Sequence, residues 1–259
     1  IVGSPNAAGD GYRIAMDNGA CSFMADSAQS ILYAIEAFPP IDFHDAAENP
    51  LYGYFGIASG GPVLWVNEAC RRYTRENLAL QCLPGKGNKG NYVVFDQAIF
   101  DRFFGKNDDA KKAFYDAIKA NGGGSIYQSD SLADLAGRFN LDADALKAAV
   151  DCYNELCGEG ADSDFGKAAG LMVPIETPPF YLAKLSYNYF FSVGGITTDG
   201  RHRVLDGRRN PIEGLYAIGN DGNMLYRNVY TVNMPGVAFG HQVNSGREAA
   251  NAVLEYLDR

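Results

Sequence analysis

The residues best suited to chemistry gather in the last quarter of the chain. Gly214–Ile218 reads as a short buried strand, and it ends at Gly219, where the missing side chain lets a bulky ligand approach the backbone. Pro235-Gly236 marks the start of a closing helix that runs from about Gly236 to Leu257. Amides in the first turn of a helix have no acceptor within it, so this turn offers a ready site for negative charge. Two other candidates lie far upstream. Arg72 and Glu76 are four residues apart and read first as a structural ion pair, whereas His44 stands alone in a loop, the usual setting of a surface histidine.

Positioning these groups requires a sizeable core, and 259 residues with 47% apolar content can build one, as two lobes rather than one. Pro62–Asn67 and Tyr92–Phe95 read as strands. Three helices carry their own start signals: Asn107 before Ala110, Phe114, Ala117 and Ile118; Ser131 before Leu132, Leu135, Ala136 and Phe139; Asp142 before Leu146, Val150, Tyr153 and Cys157. The apolar residues recur three and four apart, as a core-facing stripe does. Near the start, Asp10 reads as the N-cap of a short helix that Gly19 stops.

Composition narrows the function. A net charge of −9 leaves no basic stripe, which argues against nucleic acid as a partner. No apolar run approaches the ~20 residues of a membrane span. The five cysteines (Cys21, Cys70, Cys82, Cys152 and Cys157) lack C-x-x-C spacing and read as buried thiols rather than a disulfide framework or a metal site. The first residues, Ile1-Val2-Gly3, lack a Met and look like an internal cut, so targeting is not legible; a bacterial cytoplasm or cell envelope is the expected compartment.

Several runs taken together resemble the fumarate reductase and succinate dehydrogenase flavoprotein family, which includes 3-ketosteroid dehydrogenases and urocanate reductases. They are Gly194-Gly195 ahead of a hairpin, G-L-Y-A-I-G-N at Gly214–Asn220, and a helix opening Gly236-Val237-Ala238-Phe239. The helix and cap wording of Ser131–Cys157, D-F-G-K at Asp164–Lys167 and P-P-F-Y at Pro178–Tyr181 is similar to that family's substrate-capping domain. The resemblance implies an α+β chain made of two parts. One is an incomplete, Rossmann-like FAD-binding lobe (1–44 and 186–259) that lacks its G-x-G-x-x-G unit, and the other is an α+β substrate-capping domain (45–185). The ADP half of FAD would rest on a segment upstream of this sequence. FAD is therefore expected in the full-length protein, with little or none retained by this chain alone.

The same resemblance assigns sites. Asp10, Gly11, Gly195, Gly219, Asn220, Gly236, Val237, Ala238 and Phe239 fall where the family contacts the flavin. His44, Phe191 and Asn233 fall at substrate positions, and Tyr230 is the candidate proton donor, because a tyrosine hydroxyl can serve that role. Departures from the family matter as much. The positions of its carboxylate-clamping and proton-donating residues fall near Leu80, on Phe55–Ser59, on Phe191 and on Asn233. A dianion buried among Phe and Leu would be very costly, so fumarate and succinate are not the expected substrates. The expectation is an FAD-dependent oxidoreductase that forms or reduces an activated carbon–carbon double bond in a larger, less charged, aromatic or steroid-like small molecule. Its electron donor is not legible. The alternative is a binding or interaction domain that keeps the fold without catalysis.

Overall fold

The computed structural model describes residues 8–23, 28–37, 57, 60–77, 85, 87–226, 234 and 236–258. The chain separates into two compact units: a smaller one of Gly3–Ser30 with Tyr189–Arg259, and a larger one of Ile31–Asn188. Both helix and strand contribute throughout.

The larger unit is built on a sheet in the order β1 (Ala28–Ile35), β5 (Phe180–Val193), β3 (Asn91–Asp96) and β2 (Leu64–Asn67), with β4 (Ile126–Ser129) also pairing with β5. Chain passage between the units falls inside β1 and β5. The β2–β3, β3–β5 and β4–β5 pairs are antiparallel, with Trp65 opposite Val93 and Val94 opposite Leu182. All six residues of β3 are buried, as befits a strand covered on both faces. Among the described residues, four α-helices accompany the sheet: α2 (Gln97–Phe104), α3 (Asp108–Asn121), α4 (Leu132–Arg138) and α5 (Ala143–Glu159).

Each of these helices begins on a side chain that satisfies an amide of its first turn. Asp96 accepts from Ile99, Asn107 from Ala110, Ser131 from Asp134 and Asp142 from Ala145. The stripes expected from the sequence face inward, placing Phe114, Leu135, Leu146 and Val150 in the core. Tyr181 stacks on Phe95 at 4.8 Å between ring centres, and Phe100 and Phe114 close the same aromatic cluster.

The smaller unit holds α1 (Asp10–Asp17), a two-stranded ribbon of β6 (Arg203–Leu205) and β7 (Pro211–Tyr216), and α6 (Val237–Leu257). Two expectations need correcting here. The strand before Gly219 runs over Pro211–Tyr216 and is largely exposed up to Gly214, because among the described residues it pairs only with β6. The N-cap of α1 is Gly9, in the left-handed conformation; Asp10 is the first helical residue, and its carboxylate turns outward to pair with Arg13. Nor are the cysteines uniformly buried: Cys70 is, but Cys152 is exposed. Among the described residues no helix is long and apolar enough to cross a membrane.

Candidate functional site

Glycine-rich backbone draws the smaller unit together. The Ile196 amide donates to the Asp221 carbonyl at 2.7 Å, the Gly194 amide to the Tyr226 carbonyl at 3.1 Å, and the Phe23 amide to the Gly195 carbonyl at 2.7 Å. A side chain at Gly195 would collide with the Asp221 carbonyl and stand 3.1 Å from the Asn223 nitrogen. At Gly11 a Cβ would meet only the Asp221 carboxylate, the end of an exposed side chain that can move aside. Gly195, singled out in the sequence, thus allows the Gly194–Thr198 segment and the turn after β7 to approach closely.

That turn also meets α6. Gly219 adopts φ +56°, and its amide donates to Ser245 Oγ at 3.0 Å. Ser245 is buried and donates in turn to the Gln242 carbonyl at 3.2 Å. Gln242 Nε2 donates to Asn220 Oδ1 at 3.3 Å. The contacts fall beyond the first turn of the helix, roughly 8 Å (Gln242) and 12 Å (Ser245) along the axis from Val237 at ~1.5 Å per residue.

The helix begins at Gly236 (φ +87°), and its first backbone bond is Gly240 N–H to the Gly236 carbonyl at 2.8 Å. The amides of Val237, Ala238 and Phe239 therefore precede the helical ladder and carry the positive end of the helix dipole. Glycine has no side chain to cap them. Val237 and Ala238 are half-buried, while Phe239 is 71% exposed and Met234 is 62% exposed. The arrangement can stabilise negative charge beside an apolar surface.

The remaining candidates divide differently. Phe191 lies in β5, with its side chain outside the described residues. His44, Tyr230 and Asn233 also lie outside them. Asp10 and Asn220 are both exposed.

In the larger unit, Arg72 and Glu76 prove to be half of a buried network whose other members the sequence did not signal. Arg72 donates to both oxygens of Glu76 (2.9 and 2.9 Å) and of Asp162 (2.8 and 2.7 Å). Lys167 Nζ lies 3.3 Å from Glu76 and donates to the Val63 carbonyl at 2.6 Å and the Tyr153 hydroxyl at 2.9 Å. The Trp65 amide donates to Glu76 as well. Two cations and two carboxylates balance in the interior, so no charge is left alone. Burial disfavours charge on Arg72, but its bonds to Glu76 and Asp162 outweigh that and raise its pKa above the ordinary value. Burial likewise works against the Asp162 carboxylate, yet Arg72 and the amides of Lys167 and Phe165 hold it well below the usual range. For Lys167 burial prevails over the pull of Glu76 and lowers its pKa. The only local signal was the Arg-x-x-x-Glu spacing; Asp162 and Lys167 lie some ninety residues away in the chain. This network supports the unit's core, as the ion-pair reading anticipated.

Comparison with known proteins gives the geometry a family. The FAD binding domain family matches residues 1–232. Vinyl phenol reductase of Lactiplantibacillus plantarum is 27% identical over 279 residues, covering 98% of this chain and 55% of that protein. Urocanate reductase of Eggerthella lenta is 34% identical over 155 residues, covering 60% of this chain and 24% of its own length. In fold, the chain is similar to the crystal structure of 3-ketosteroid delta1-dehydrogenase from Sterolibacterium denitrificans in complex with 1,4-androstadiene-3,17-dione. The TM-score is 0.73 at 23% identity, over 99% of this chain and 48% of that one. The chain thus spans about half the length, or less, of the relatives it matches. With nine-tenths of its residues inside the family match, it belongs to the FAD binding domain family.

Proposed function

We propose that this chain is part of an FAD-dependent oxidoreductase that reduces or forms an activated carbon–carbon double bond in a small organic substrate. The observation that carries the reading is the family match over residues 1–232. Residues 1–44 and 186–259 are the returning part of the FAD-binding domain, and 45–185 are the substrate-capping domain. The nucleotide-holding G-x-G-x-x-G unit comes from residues outside this sequence.

The residues present fit a flavin ring. Uncapped amides at Val237, Ala238 and Phe239 suit its electron-rich edge, and exposed Phe239 and Val243 supply apolar surface on the first turns of the same helix. Gly219, Asn220, Gly195, Gly11 and Asp10 would complete the cofactor contacts. Bound FAD would supply hydride exchange with a substrate carbon. The helix N-terminus would then steady the negative charge that accompanies reduction, without reorganising. Tyr230 would hold or deliver the proton for the neighbouring carbon, and His44, Phe191 and Asn233 would contact the substrate.

Fumarate is a poor candidate, because Phe191 and Asn233 occupy positions where carboxylate-holding cations would be needed. An aromatic or steroid-like alkene or enone fits better. Two of the relatives are named for aromatic or heteroaromatic unsaturated substrates, a vinyl phenol and urocanate, and the solved neighbour holds a steroid dienone. The test is anaerobic reoxidation of the dithionite-reduced full-length protein by a vinyl phenol, urocanate, a steroid dienone and fumarate, followed by flavin absorbance. Rapid reoxidation by a neutral conjugated alkene, with fumarate inert, is the expected result. Reoxidation by fumarate alone would overturn the substrate assignment. A full-length protein that binds flavin but is reoxidised by none of these compounds would favour a non-catalytic binding domain.

A further inference from the structure

The smaller unit contains a pocket whose chemistry the proposed flavin site does not use. Its volume is about 270 Å³, and its lining includes Thr198, Asp199, His202, Met224, Leu225 and His241. His202 belongs to the turn that opens β6, where its amide donates to the Asp199 carbonyl at 3.0 Å, and it adopts φ +62°. His241 lies in the second turn of α6. The two rings stand 6.1 Å apart between centres, tilted by 58°.

Both rings carry a buried nitrogen with no hydrogen-bond partner, Nδ1 of His202 and Nε2 of His241. Two orphaned imidazole nitrogens at one pocket are unusual, since buried polar groups are nearly always satisfied. Two imidazoles bound end-on to one ion at ~2.0–2.1 Å set their ring centres about 5–6.5 Å apart, which brackets the observed separation. A third donor is at hand. Met224 Sδ accepts from the Thr198 amide at 3.2 Å and from its hydroxyl at 3.6 Å, and releasing the longer hydroxyl contact would free one sulfur lone pair for a metal. Asp199 is already committed, with its carboxylate accepting from Arg203 Nε at 2.7 Å and from the amides of Arg201 and Arg203.

We propose that His202 and His241 form a two-imidazole site for a single copper ion, with the Met224 sulfur as the third donor. Copper heads the affinity order for nitrogen donors among divalent ions, and a thioether favours its reduced form. Among the described residues no group of three or more His, Cys, Asp or Glu could hold a metal, so the site depends on this histidine pair.

The experiment loads tag-free, full-length, flavin-containing protein with Cu(II), removes excess by gel filtration, and measures bound copper and its EPR spectrum. Wild type is expected to keep one equivalent more than His202→Gln, His241→Gln or the double variant, with hyperfine coupling from two imidazole nitrogens. Met224→Leu should weaken Cu(I) binding by at least the ~10-fold that loss of even an outer-shell partner costs. Equal copper in wild type and the double variant, or a wild-type spectrum unchanged by either histidine substitution, overturns the proposal. If the variants do not fold, diethyl pyrocarbonate labelling of wild type decides by mass spectrometry. Copper should shield His202 and His241 together, and equal labelling with and without copper overturns the site.

Discussion

The two units are stabilised on different scales. The larger one buries Trp65, Phe95, Phe100, Phe114, Tyr153 and Tyr181 in one continuous core and seals a charge-balanced network beside it. The smaller one buries a cluster of Ala15, Ala20, Ile196, Val204 and Ala217, none larger than isoleucine. Its surface carries what its core lacks. Ile14, Ile218, Leu225, Met234, Phe239 and Val243 are exposed there, while in the larger unit Phe165 is the single large apolar side chain so exposed among the described residues. A side chain the size of Phe contributes ~1.5–3 kcal/mol when fully buried, so a unit that leaves several in water forgoes much of its stabilisation. The larger unit thus rests on a core of large aromatic side chains, and the smaller one on a core of small ones with more apolar surface left in water.

Substitutions can break that comparison, and the largest effect belongs to the buried network. Arg72→Met leaves Glu76 and Asp162 without their shared cation and should cost about 3–5 kcal/mol in urea unfolding. A cost under about 1 kcal/mol would mean that the larger unit is no better supported than the smaller.

Acid sharpens the same point. Asp162 has a folded pKa below its unfolded one, so the unfolded state takes up the proton first. Its contribution is complete above about pH 4, the usual aspartate range, and fades as pH falls below it. The melting temperature should therefore drop steeply between pH 4 and pH 2.5, and Asp162→Asn, less stable at pH 7, should flatten that drop. An unchanged slope would remove Asp162 from the account.

Effects in the smaller unit are expected to be gentler. Ser245→Ala takes the acceptor from the half-buried Gly219 amide and should cost about 0.5–1.5 kcal/mol, the usual net worth of such a bond. Arg203→Ala breaks a partly exposed pair with Asp199 and should cost no more than about 1 kcal/mol. Least of all, Phe239→Ser should move the stability of this chain by about 0.5 kcal/mol or less, as exposed sites do. In the full-length protein the same change should lower flavin content, and equal flavin content would separate Phe239 from the cradle.

What the sequence made legible follows from how locally each feature is encoded. Asn107, Ser131 and Asp142 announce helices because each side chain satisfies an amide three residues on, so the signal and its partner share one short window. Gly195 and Gly219 were legible through the wording around them. Strands β1, β4 and β5 went unread, since strand pairing joins segments far apart in sequence; Ile126 meets Ala183, for instance. Asp162 and Lys167 were missed for the same reason, their partners being Arg72, Glu76 and Val63. At Asp10 the sequence misled, because Gly9 can take the left-handed cap conformation and so displaces an aspartate that would otherwise cap.

Flavin stoichiometry tests the central claim most directly. The full-length protein and the 259-residue chain would be purified side by side, and bound FAD measured from its visible absorbance against protein concentration. The account predicts about one FAD per full-length chain and little or none on the 259 residues alone. A colourless full-length protein that takes up no added FAD would contradict it.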